Sequence, residues 1–241
     1  MQKRIILFSI FTALIILGLY FTMVRNKPVN LPKNTSTESE IKLSNYNATT
    51  TYAVINMSYP ESSATKYPEV NSFINKVISD FQKDFGSISQ SQVKEMYGRE
   101  DVQFQLYANT KIATSSKSIS FIIEVYEYTG GAHGGTSVST FTYDKSGKLL
   151  KLSDVLGDNY LVKISQLAKD YAYKNFSEYS QPAMIDPGVS PNEENFSAWY
   201  LTPSNIVFIF QQYQIGPYAM GINEFPLKKS DISDILNPTF R

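Results

Sequence analysis

The chain has 241 residues, 42% of them hydrophobic, which is enough for one packed domain or two small ones with appendages and too many for a disordered chain. Lys+Arg and Asp+Glu both number 22, and Lys3 and Arg4 are the only charges in the first 24 positions, so the remainder is slightly acidic and no nucleic-acid partner is expected. With no cysteine, disulfides, thiolate catalysis, Cys-ligated metals and a lipidated Cys are excluded.

Residues 5–24 read IILFSIFTALIILGLYFTMV, an uncharged run of 20 residues. As a helix it would be about 30 Å long, the thickness of a hydrocarbon core. The run exits through Tyr20, Phe21, Thr22, Met23 and Val24, with no small-residue cleavage site, so it reads as an uncleaved transmembrane anchor. Residues 1–4 then form a cytoplasmic stub, and any activity is expected on the C-terminal side. Lys3 and Arg4 face Arg25 and Lys27 across the anchor, so the positive-inside count leaves the orientation open. Residues 25–48 contain Pro28, Pro32 and a Ser/Thr/Glu run without apolar periodicity, and read as a flexible linker.

Two halves follow, an N-terminal one at 49–127 and a C-terminal one at 128–241. Alternation at Ala53, Ile55, Met57 and Tyr59 predicts a strand ending at Pro60. Pro68 suits the first turn of a helix carrying Val70, Phe73, Ile74, Val77, Ile78, Phe81 and Phe85, with Gly86 at its end. Further strands are predicted at Val102–Leu106, at Ile119–Val125 and at 136–144, the last turning through Asp144-Lys145-Ser146-Gly147 into residues 149–152. A second helix carries Leu161, Ile164, Leu167, Ala168 and Tyr171, and a loop spans about 177–195. Apolar strands at Trp199–Leu201 and 206–211 and a short helix capped by Ser230 complete the chain. Strands in hairpin-like succession with two or three helices predict an α+β fold built on a mostly antiparallel sheet.

Two segments stand out as candidate binding residues. The first is Tyr128-Thr129-Gly130-Gly131-Ala132-His133-Gly134-Gly135, which holds the only histidine. It joins two predicted strands and has no following Lys, so it is not a nucleotide loop. A tight turn, a ligand contact and a general base all remain open for His133. A metal site would need more ligands than one histidine, and no metal or cofactor is expected. The second is Tyr213-Gln214-Ile215-Gly216-Pro217-Tyr218, a break after an apolar strand that would set Tyr213 and Tyr218 beside the glycine turn. No G-x-S-x-G elbow and no evident carboxylate pair occurs, so the chain is expected not to be an enzyme.

The two segments belong to one linked pattern. It runs from 128–134 through Phe141-x-Tyr143-Asp144, Leu152-x-Asp154-Val155-Leu156, Asn195-Phe196, Trp199, Leu201-Thr202-Pro203 and Val207-Phe208-x-Phe210 to Tyr213-x-Ile215-Gly216-Pro217-Tyr218-Ala219-x-Gly221. Over about 49–236 the chain resembles the extracytoplasmic domain of lysozyme-sensing anti-sigma factors of the RsiV type. It also resembles the non-catalytic N-terminal domain of PdaC-type peptidoglycan deacetylases. The resemblance implies an envelope module that recognises a cell-wall component or a protein such as lysozyme, on the outer side of a bacterial plasma membrane. Gln214 stands where the pattern suggests an acid, and Ser204-Asn205 where it suggests a glycine-containing turn. Only four residues precede the anchor, so sigma regulation is not expected to carry over. No deacetylase domain is expected after Arg241.

Overall fold

The computed structural model describes residues 41–61 and 66–241. The expected stub, anchor and most of the linker lie outside these residues; among those described, no helix is long and apolar enough to cross a membrane. The fold is α+β, with a mixed five-stranded sheet, a second sheet of three strands, and few helices.

The first sheet runs β1 (Leu43–Thr49), β2 (Ala53–Pro60), β3 (Phe104–Thr114), β4 (Ser118–Tyr128) and β5 (Gly135–Asp144), in that spatial order. β1 occupies the end of the segment expected as linker; its outward Asn45, Asn47 and Thr49 made it read as polar, while Tyr46 and Ala48 pack inward. β5 completes this sheet, although the sequence grouped it with the C-terminal half. All pairings are antiparallel except β2 with β3, which run parallel. A parallel pair needs a long crossover, supplied here by α1 (Pro68–Phe85) and α2 (Gln90–Tyr97). α1 lays Val70, Ile74 and Phe81 on a core formed by Met57, Phe104, Leu106, Phe121 and Ile123. The unexpected α2 buries only Val93, too few apolar positions to show a period; a capping box between Ser89 and Gln92 defines its start.

After β5 come one turn, α3 (Leu152–Val155), and α4 (Tyr160–Phe176). The segment expected as loop holds a short helix, α5 (Pro182–Gly188), and a 3₁₀ turn at Glu193–Phe196. The second sheet is β6 (Trp199–Leu201), β7 (Asn205–Phe210) and β8 (Asn223–Lys228), all antiparallel. Pro226 weakens the strand signal of β8, and it is tolerated because β8 is an edge. The expected C-terminal helix is a 3₁₀ turn, Lys229–Ile232, without a Ser230 cap.

The layers are helix, sheet, sheet, helix. α4 places Ile164, Ala168 and Ala172 on Leu201, Ile206, Phe208 and Phe210. The other face of the second sheet, Ala198, Tyr200, Val207 and Ile209, packs on Ile122 and Val138 of the first. Hydroxyls join the sheets: Thr140 Oγ1 accepts from Trp199 N at 2.9 Å and Ser120 Oγ from Leu201 N at 3.3 Å. They satisfy backbone groups on the edge strand β6, which would otherwise be buried unpaired.

Candidate functional site

The two segments singled out in the sequence meet at the surface. The His133 and Tyr218 rings lie 4.0 Å apart between centroids, tilted by 31°, and Tyr213 flanks Tyr218 at 5.8 Å. Both His133 and Tyr218 close on one atom. Tyr218 donates its hydroxyl proton to the Gly134 carbonyl at 2.8 Å, and His133 Nδ1 lies 3.0 Å from the same oxygen. A carbonyl only accepts, so the contact calls for a proton on Nδ1. His133 and Tyr213 are exposed, Tyr218 is half-buried and Gly134 is buried. The pair therefore forms a surface platform.

Local sequence explains the turn. A Cβ on Gly134 would come 2.4 Å from the Tyr126 ring, so only glycine lets the chain pass over that tyrosine. Gly130 has φ of 89° and sits under the Tyr97 ring, whose hydroxyl donates to Thr129 O at 2.5 Å. Tyr128 donates to Gly131 O at 3.0 Å and accepts weakly from Arg99 at 3.4 Å. Tyr128 and Gly131 thus brace the turn. Gly216 is buried beneath the Met220 sulfur, and the exposed Pro217 starts the 3₁₀ turn Tyr218–Met220. Of the candidate residues, His133, Gly134, Tyr213 and Tyr218 come together; Gly130, Gly131, Gly216 and Pro217 shape the backbone around them.

Several residues that hold the site carried no sequence signal. Gln211 pairs with the free edge of β5 as a strand would: its Oε1 accepts from Val138 N at 2.9 Å and its Nε2 donates to Val138 O at 2.8 Å. Gln212 Oε1 accepts from Thr136 N at 2.7 Å. Gln214, expected as an acid, accepts from Gln211 N and donates to Gly188 O and Asn195 O, each at 2.9 Å. A carboxylate could not donate to those two carbonyls, so the amide suits this position better. Where the pattern suggests a glycine-containing turn, Asn205 has no left-handed backbone; Thr202 Oγ1 holds the turn by accepting from Asn205 N at 2.9 Å. Tyr213, with φ of 65°, takes that strained conformation at the site itself.

Other features lie apart from the platform. A cavity of about 430 Å³ is lined by Lys151, Tyr160, Glu193, Glu194, Phe196 and Trp199. Tyr143 donates to Glu69 at 2.9 Å, and burial together with that carboxylate pushes the phenol well above its ordinary range. Tyr200 is raised likewise, by burial and by Glu224. Both are buried core tyrosines. Among the described residues no group of three His, Asp or Glu side chains could hold a metal ion.

Residues 34–136 match the family described as Deacetylase PdaC, and residues 153–230 match a protein family of unknown function, DUF3298. The peptidoglycan-N-acetylmuramic acid deacetylase PdaC of Bacillus subtilis is 29% identical over 172 residues, 70% of this chain. The match spans 35% of that relative's length. Among solved structures, a DUF3298 family member from Bacteroides fragilis has a TM-score of 0.58 at 19% identity, covering 82% of this chain and 93% of that one. A DUF3298 family protein from Pseudomonas aeruginosa has 0.55 at 16%, covering 83% and 94%. These two share the fold. Together, the matches and the linked motifs support a PdaC-type/DUF3298 domain over the described residues.

Proposed function

We propose that the chain is a non-catalytic recognition module of the bacterial cell envelope, tethered by residues 5–24 with its domain outside the plasma membrane, and that its ligand is peptidoglycan or a protein such as lysozyme. The carrying observation is the convergence of two distant segments on the exposed His133–Tyr218 platform. A relative that acts on peptidoglycan supports a wall-facing role. The uncharged 20-residue run supports the tether. The engagement of His133 also favours binding over hydrolysis. Among the described residues its partners are a carbonyl and an aromatic ring, whereas the general-base histidine of a Ser-His-Asp triad is oriented by a carboxylate.

The test is co-sedimentation of the full chain, in detergent, with purified sacculi, alongside capture on immobilised lysozyme. Binding to one of the two is expected, with Tyr218→Ala weakening it at least about tenfold, as for an aromatic anchor. His133→Ala is expected to leave thermal stability unchanged. Release of sugar or acetate from sacculi by the wild type, abolished by His133→Ala, would establish the hydrolytic alternative instead.

A further inference from the structure

The second sheet covers only part of the outer face of the first. Ser120, Ile122, Val138, Thr142 and Ala113 lie beneath or beside it, but among the described residues the outward positions of β1 and β2, those of β3 from Gln105 to Lys111 and the far end of β4 are not covered by it. The register places Asn47 opposite Asn56, Asn56 opposite Tyr107, and Tyr107 opposite Tyr126. At about 4.8 Å per strand this row is about 14 Å long. The Tyr107 and Tyr126 rings are nearly parallel, at 19°, with centroids 6.0 Å apart, and Tyr107 is 38% exposed. Tyr126 abuts Gly134, whose carbonyl holds Tyr218. One aromatic path therefore runs from Tyr107 over the glycine turn to the His133–Tyr218 pair.

The chemistry of this face is narrow. Its central row is made of tyrosines and amides, with Leu43, Thr49, Val54 and Ser58 around them. Among the described residues the Asn47, Asn56, Gln105 and Asn109 side chains make no hydrogen bond. Glu124 and Lys111 contribute one charge of each sign. Sulfated or phosphorylated polymers would need a basic face, and a cationic peptide an acidic one. A sugar ring offers an apolar C–H face to tyrosine and a rim of hydroxyl and acetamide groups. A side-chain amide presents a donor and an acceptor side by side, which matches that rim.

We infer that the open face bearing Asn47, Asn56, Tyr107 and Tyr126 is a binding site for a linear, uncharged N-acetylated glycan, laid across the strands toward the His133–Tyr218 pair. This rests on the recognition role proposed above and assigns its ligand class and its main surface. The glycan reaches the platform at one end. Most of its contact is with β1–β4.

The experiment measures binding of the full chain, in detergent, to N-acetylglucosamine tetrasaccharide by calorimetry and to protein-free sacculi by co-sedimentation. Wild type is expected to bind both. Tyr107→Ala and Asn56→Ala together are expected to weaken binding at least about tenfold, the scale of one lost aromatic contact. Tyr107→Phe keeps the ring and is expected to stay within about threefold, while Val162→Ala, on a distant exposed helix position, changes nothing. Unaltered melting curves for all variants keep the loss local. If Tyr107→Ala with Asn56→Ala binds like wild type while Tyr218→Ala does not, the open face is the wrong surface and the recognition role stands. If wild type captures lysozyme but neither glycan, the ligand class is wrong and the role again stands. If it binds none of the three, both fall.

Discussion

The two sheets handle their faces in opposite ways. In the three-stranded sheet β7 is buried on both sides: Ile206, Phe208 and Phe210 meet α4, and Val207 and Ile209 meet the first sheet. Its sequence, NIVFIF, accordingly has no polar alternation. In the five-stranded sheet β3 alternates strictly over its first half. Phe104, Leu106 and Ala108 are buried, whereas Gln105, Tyr107 and Asn109 point the other way. The first arrangement commits every side chain to packing. The second leaves a row of side chains with no structural duty, and a binding surface can evolve there without loss of stability. The glycine turn and the 211–221 segment lie where the two sheets meet, so the motif residues brace that junction and present the His133, Tyr213 and Tyr218 rings.

The largest effect should come from the doubly buried sheet. Phe208→Ala is expected to cost about 3–5 kcal/mol in urea unfolding, since the cavity sits between two layers that cannot both collapse. Next is a loss of stability at high pH. Tyr143 and Tyr200 have folded-state pKa values raised above the unfolded value of about 10, so their stabilising effect is complete below pH 10 and declines as pH rises above it. Each should remove about 1.4 kcal/mol per pH unit above 10, and Tyr143→Phe and Tyr200→Phe should each flatten that slope in denaturant melts. Gly134→Ala drives a Cβ into Tyr126 and is expected to cost about 1–3 kcal/mol, with an altered ring environment for Tyr126 by NMR. Tyr218→Phe loses the bond to Gly134 O, about 0.5–1.5 kcal/mol. The smallest effect belongs to the open face, where Asn56→Ala should change stability by less than about 0.5 kcal/mol. A loss there comparable to that of Phe208→Ala would erase the contrast between the sheets.

Periodicity made much of the fold legible. β2, β4, β5, β7 and α1 appear close to their expected limits because each buries a side at a regular spacing. Pairing was not legible: nothing in residues 53–59 and 102–106 says that these strands run parallel, and nothing showed that the C-terminal strands form a sheet of their own. α2 buries one residue, and β8 is interrupted by Pro226, so neither offered a period. At the site, glycines and aromatics drew attention to the right two segments. The glutamines that tie them to β5 did not, because an amide imitating a strand looks like any surface glutamine. Tyr107 and Tyr126 likewise became partners only through the β3–β4 register.

The most direct test of the division between a packing sheet and a recognition face is one variant, Tyr107→Ala with Asn56→Ala, measured twice, for urea midpoint and for binding to protein-free sacculi. An unchanged midpoint with at least about tenfold weaker binding is the expected result. Unchanged binding, or a loss of binding that merely follows a lowered midpoint, would contradict it.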